Sequence, residues 1–200
     1  WSPDGTRILL GVAGHGADVS GGQGAISSAR VAEGEPAWLP EVDANEDAFR
    51  WRHGWIYELA TGRVHRIPYS GRNIWEAAWS GNDAIVAVVS AGPGEGLWYD
   101  ARLHLIDLNS GCGREIYEPR HQLGLPAASP SGELVAIIDA LCSDRGIVAG
   151  ELRLIERSSG RVRDIDCRGV DIGYAEWRGE RHLLLAGHRG FETVVGLYET

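Results

Sequence analysis

Leu103-His104-Leu105-Ile106-Asp107-Leu108-Asn109-Ser110-Gly111 is the stretch on which the fold turns. Apolar and polar positions mix and then run into a small polar pair and a glycine, the pattern of a strand entering a hairpin turn that needs positive φ. Forty-nine residues upstream the arrangement stands as Trp55-Ile56-Tyr57-Glu58-Leu59-Ala60-Thr61-Gly62, and forty-nine downstream it ends in Glu156-Arg157-Ser158-Ser159-Gly160. The acids Glu58, Asp107 and Glu156 keep the same interval as the glycines. A second marker, Trp79, Ala128 and Trp177, recurs on that interval, each copy followed by a polar turn. Two markers on one period announce a repeat architecture. Trp1, with Ser2-Pro3-Asp4-Gly5 behind it, is a further copy of the second marker; its 78-residue distance to Trp79 exceeds the period by 29, so the first unit carries an insertion.

After each marker turn comes a short apolar run: Ile8 to Val12, Ala84 to Val89, Leu134 to Ile138, Leu183 to Ala186. These runs are too short for helices and suit strands buried on both faces. Beyond the repeated glycine a fourth strand follows in three units, at Val64 to Ile67, Arg114 to Tyr117 and Val162 to Ile165. Four antiparallel strands in about 49 residues describe one blade of a β-propeller, whose apolar faces are covered by neighbouring blades. The reading is therefore all-β, with about four four-stranded blades: 1–70 with an insertion at about 14–52, 71–120, 121–169, and an incomplete blade at 170–200. The first unit opens at the end of its first strand and the last stops inside its third. Fourteen strands and two open edges are expected, and the chain is expected to be a segment of a ring of six to eight blades that can self-associate through those edges. The repeated Trp is expected to fill the space between blades.

Eight Trp and 44% hydrophobic residues in 200 supply a real core. Twenty-eight acidic against 19 basic side chains give a formal charge of −9, which repels phosphate backbones and anionic headgroups and argues against nucleic acid and membrane partners. No run of eighteen apolar residues and no apolar signal core stand out. Cys112, Cys142 and Cys167 are odd in number without CxxC spacing, so neither a disulfide framework nor a zinc site is indicated and a reducing, cytoplasmic setting is preferred. The closest histidine pair, His182 and His188, lacks metal-ligand spacing. No metal and no cofactor are expected.

The Trp-Ser-Pro-Asp-Gly turn of residues 1–5 and the Leu-Ile-Asp-Leu-x-Ser-Gly of residues 105–111 resemble TolB-like propellers. Stretches such as Trp75-Glu76-Ala77-Ala78-Trp79, Gly94-Glu95-Gly96-Leu97-Trp98-Tyr99, Gln122 to Pro130 and Cys142-Ser143-Asp144-Arg145-Gly146 look like the amino-terminal propeller of bacterial prolyl oligopeptidase-family serine peptidases, of the acylaminoacyl-peptidase or dipeptidyl-peptidase kind. The resemblance implies a propeller covering an α/β-hydrolase domain of the same parent chain, which carries a Ser, Asp, His triad. Gly-x-Ser-x-Gly, the nucleophile elbow, is absent from all 200 residues. No catalytic residue is assigned. The implied role is to filter and orient peptide substrates.

The insertion is the least blade-like stretch, and its acids Glu41 and Glu46 among aromatics are candidates to hold a peptide amino terminus through charge-assisted hydrogen bonds, as the resemblance implies. An acidic loop docking on another domain is the plainer alternative. Glu95 and Tyr99, on the irregular loop Gly92 to Tyr99, are candidates to line a substrate path, or else to cap a blade edge. Arg145 and Arg189, in comparable places past second strands, suit carboxylate binding or loop-fixing hydrogen bonds. A TolB-like interaction propeller in the periplasm, with no chemistry, is the alternative function; a propeller lyase or glycosidase would need a converging acid or metal cluster.

Overall fold

The computed structural model describes residues 1–14, 17, 20–21, 24–25, 50–141 and 143–200. Four antiparallel sheets follow one another along the chain. The first joins β1 (Arg7–Val12), β4 (His53–Glu58) and β5 (Val64–Arg66); between β1 and β4 lies a two-residue ladder of β2 (Ser20–Gly21) and β3 (Gly24–Ala25). The second sheet is β6 (Asn73–Ser80), β7 (Ala84–Ser90), β8 (Arg102–Asp107) and β9 (Gly113–Tyr117), in that order. The third repeats it with β10 (Gln122–Ala128), β11 (Leu134–Ala140), β12 (Glu151–Glu156) and β13 (Val162–Asp164). The fourth ends the array with β14 (Asp171–Trp177), β15 (His182–Arg189) and β16 (Glu192–Glu199). A 3-10 helix, Glu95–Asp100, interrupts the second sheet's connection from β7 to β8. The terminal sheets hold three strands rather than four, so the arrangement is propeller-like with both terminal sheets short of a strand.

Sandwiching explains the unbroken apolar runs. Along β7, Ile85, Ala87 and Val89 enter one cluster with Ile56, Ile67 and Trp79, while Val86 and Val88 enter a second with Leu103, Ala136 and Ile138. Alternate side chains of one strand thus serve two different sheets, because a strand presents opposite faces with period two. On β11, Val135, Ala136, Ile137 and Ile138 are all fully buried in a single cluster that reaches the second and fourth sheets through Leu103 and Leu183. At the two ends this cover stops: Leu10 and Val12 on the first sheet, and Val195 and Leu197 on the fourth, are exposed.

The turn acids and glycines act together. Gly62, Gly111 and Gly160 have φ of 69°, 69° and 70°. Asp107 Oδ1 accepts hydrogen bonds from the Asn109 and Ser110 amides and from the Ser110 hydroxyl, and Glu58 and Glu156 accept the hydroxyls of Thr61 and Ser159. The repeated acid therefore closes its own hairpin. Glycine is also required for space at position 111, where a Cβ would lie 2.1 Å from the Pro68 carbonyl oxygen.

The repeated Trp links sheets: Trp79 is buried against the first sheet with the Arg7 guanidinium 4.9 Å from its ring, and Trp177 Nε1 donates to the Ala127 carbonyl at 3.0 Å. The turns after these markers are stapled to one another by polar contacts. The Asp4 amide donates to Asn82 Oδ1 at 3.2 Å, Ser80 Oγ to the Gly132 carbonyl at 3.1 Å, and the Ser131 amide to Glu180 Oε1 at 2.8 Å. That end of the sheets is closed by short turns. The longer connections, from second to third strand, leave from the opposite end.

Candidate functional site

Two connections meet at that opposite end, 91–101 and 143–150, with Arg52 beside them. The fourth sheet turns within Gly190 and Phe191, so Arg189 sits in a tight hairpin beside Glu192 at 3.9 Å and has no loop comparable to that of Arg145. Each first strand also carries a one-residue bulge here, where the register slips between Ile74 and Glu76, Gly124 and Ala127, and Ile172 and Tyr174. Bulges re-aim side chains and twist the strand. Because the first strands of successive sheets lie against one another, the bulges place Trp75, Glu76 and Leu125 at the seam between the second and third sheets.

Glu76 Oε2 crosses that seam to accept the Leu125 amide at 2.7 Å. Leu125 has φ of 56°, a strained conformation for a γ-branched residue, and this hydrogen bond helps to hold it. Glycine at 124 leaves room for the carboxylate: a Cβ there would lie 3.1 Å from Glu76 Oε1. Burial pushes the Glu76 carboxyl above its ordinary range, opposed by the Leu125 N–H and by the Arg145 charge.

Arg145 occupies the space over this pair. Its Nε donates to Glu95 Oε1 at 2.5 Å, and its guanidinium lies 5.7 Å from the Trp75 ring centroid. Arg52, buried, covers the same ring at 4.9 Å, and Trp75 Nε1 donates to Ser90 Oγ at 2.8 Å. The Tyr99 hydroxyl donates to Asp144 Oδ1 at 3.2 Å. Burial first, and then Asp144, raise the Tyr99 phenol. Trp98, 1% exposed, anchors the 3-10 helix in the core and meets Tyr99 edge-on. The resulting arrangement is two acids and two guanidiniums around an indole, suited to binding a charged group by exchange of ionic partners.

Of the sequence candidates, Glu95 and Tyr99 come together with the residues just described, both engaged across the seam rather than idle in a loop. Glu41 and Glu46 lie outside the described residues. Sequence reasoning assigned no role to Glu76. The signal was present all the same, since the equivalent positions one and two periods later are Leu125 and Tyr174, and an ionisable group in an otherwise bulky, uncharged column marks a departure from the repeat. Arg145 fixes loops, the plainer of the two roles its position allowed.

Elsewhere, Asp139 on β11 accepts the Tyr117 hydroxyl at 2.6 Å and the Arg120 amide at 3.2 Å; burial first, and then the Asp139 carboxylate, push the Tyr117 phenol up to about 12. This network ties the 118–121 connection to the third sheet and is structural. An open cleft of ≈ 560 Å³ at the far, turn-closed end is lined by Trp1, Leu9, Trp79, Pro126 and Trp177; its carboxylate, Glu176, is already bonded to Tyr174 and Arg178. Among the described residues no group of three His, Cys, Asp or Glu is placed to hold a metal ion.

No family model matches the sequence, and no curated protein does. Solved structures do resemble the fold. TolB from Acinetobacter baumannii superposes with a TM-score of 0.54 at 17% identity, over 74% of this chain and 35% of its own. A puromycin hydrolase S511A mutant, solved in complex with PGG, gives 0.58 at 12% identity, over 99% and 26%. The acylaminoacyl peptidase of Pyrococcus horikoshii gives 0.58 at 13% identity, over 98% and 29%. The chain therefore spans between about a quarter and a third of the length of these proteins, and at such identities the likeness is one of fold: a propeller-like array of antiparallel sheets.

Proposed function

We propose that this chain is the non-catalytic propeller segment of a serine peptidase, gating and orienting peptide substrates for an α/β-hydrolase domain of the same parent chain. The observation that carries the reading is the junction of Glu76, Glu95, Trp75 and Arg145, where the long connections of two sheets meet over the first strands. A peptide end is a small charged group on an extended apolar backbone, and an indole flanked by acids and guanidiniums offers it both kinds of contact. With no Gly-x-Ser-x-Gly in the 200 residues, the reading places the chemistry in another domain. The likeness in fold to a puromycin hydrolase and an acylaminoacyl peptidase supports the peptidase side of the reading. The exposed faces around Leu10 and Leu197 are those that further sheets of a larger ring would cover. The setting proposed is cytoplasmic, with peptide as ligand and neither nucleic acid nor membrane as partner.

The test is the parent reading frame together with its activity. A hydrolase domain with a nucleophile elbow after residue 200, and cleavage of aminoacyl, acylaminoacyl or dipeptidyl chromogenic substrates, is the expected result. A parent with no such domain, or one inert to all three substrate classes, sinks the reading. The second reading, a TolB-like interaction propeller of the periplasm, draws on the likeness to TolB. It would be selected by a cleavable leader in a parent without a hydrolase domain.

A further inference from the structure

Loops 91–101 and 143–150 are held to each other by two unlike sets of contacts. Their roots are apolar: Trp98, Ala101 and Val148, all buried, sink into the core shared by the second and third sheets. Their tips are polar, meeting through Glu95 to Arg145 at 2.5 Å and Tyr99 to Asp144 at 3.2 Å. The Glu95 and Arg145 side chains are 32% and 22% exposed, so water and salt compete for the tips while the roots stay dry. Gly96 on one tip and Gly146 on the other, the latter with φ of 81°, are exposed and meet nothing within 4 Å, so the backbone can bend at both tips. Below the span lie Trp75 and the Glu76 carboxylate.

We propose that Arg145 is the keystone of a strap closing the seam between the second and third sheets, and that the strap parts when a peptide's ammonium group replaces the Arg145 guanidinium against Glu95 and Glu76. The exchange trades one cation for another, so the seam never holds two uncompensated acids. Opening breaks the tip contacts and lifts the Arg145 guanidinium from the Trp75 ring, while Trp98 and Val148 keep both loops rooted. This inference rests on the peptide-binding reading above and adds the residue that controls access.

The experiment compares the full chain with its Arg145→Gln, Arg145→Lys and Glu95→Gln variants by amide hydrogen exchange and by binding of tetra-alanine carrying a carboxy-terminal fluorophore. Arg145→Gln and Glu95→Gln, which cut the same pair from opposite sides, should each speed exchange at 92–97 and 143–147 by about fivefold, the scale of a half-exposed ion pair. Amides of β7 and β11 should not change. Arg145→Lys, which keeps the charge and loses the planar fork, should fall between. The probe should associate faster with Arg145→Gln than with the wild type, and with a weaker dependence on salt. Unchanged tip exchange in either Gln variant overturns the strap; so does faster exchange spreading through β7 and β11, which would make Arg145 a general stabilising residue. Intact exchange behaviour with no binding of the probe to any variant, while the wild type likewise ignores it, overturns the peptide reading and with it the access role, leaving only a loop clasp.

Discussion

Glu76 and Leu125 stand one repeat period apart and touch: the carboxylate of the first accepts the amide of the second at 2.7 Å, across the boundary between two sheets. Equivalent positions in successive units thus meet directly, and the bond joins an ionisable side chain to a backbone held at positive φ.

Replacing Glu76 with Ala leaves the Leu125 N–H without its acceptor and should cost about 1–3 kcal/mol, the range for a buried donor left unpaired. Urea unfolding of the two proteins measures it; an unchanged midpoint would show that the amide finds another partner. Glu76→Gln retains an acceptor and separates charge from geometry. Because burial raises the folded-state carboxyl above its unfolded value, ionisation costs stability as pH rises through that raised value. The melting temperature of Glu76→Gln relative to wild type should therefore improve between pH 4 and neutrality.

Asp4 behaves in the opposite sense. The Ser2 hydroxyl and the Thr6 amide and hydroxyl hold its carboxyl down to about 2. Its stabilisation is present above the ordinary carboxylate pKa of 3.8 and is lost as pH falls toward about 2. Asp4→Asn should flatten that acid limb of the stability profile, and a thermal melt series over this range decides the matter.

Gly62 and Gly111 hold the same place in the repeat with the same φ, yet their surroundings differ. Substitution by Ala at Gly62 meets nothing within 4 Å and should cost about 1–2 kcal/mol for the left-handed backbone alone. At Gly111 the new Cβ also strikes the Pro68 carbonyl, so the connection between the first and second sheets must move and the loss should be clearly larger. Equal losses in denaturant titrations would remove the distinction.

Trp98→Ala empties a fully buried site and should cost about 3–5 kcal/mol, whereas Tyr99→Phe, which deletes a rim hydroxyl, should cost less than about 1 kcal/mol. A destabilisation by Tyr99→Phe comparable to that of Trp98→Ala would show that the tips, and not the roots, hold these loops.

We propose that the outward faces around Leu10 and Leu197 let the 200-residue chain associate with itself. Val195→Glu with Leu197→Glu should shift its apparent mass in light scattering toward the monomer. A concentration-independent monomer for the unsubstituted chain contradicts the idea.

Amino-acid order alone determined the sheet array, because Gly62, Gly111 and Gly160 require positive φ at a fixed interval and the apolar runs between markers are long enough only for doubly covered strands. It also placed the loop with Glu95 and Tyr99 among the irregular segments. Their partners were decided only by tertiary structure. Glu95 meets Arg145, fifty residues away, and Glu76 meets Leu125, because bulges in the first strands and the stacking of one sheet on the next bring them together. Periodicity reports which face of a strand is buried; it carries no information on which side chain of a neighbouring sheet lies across the seam.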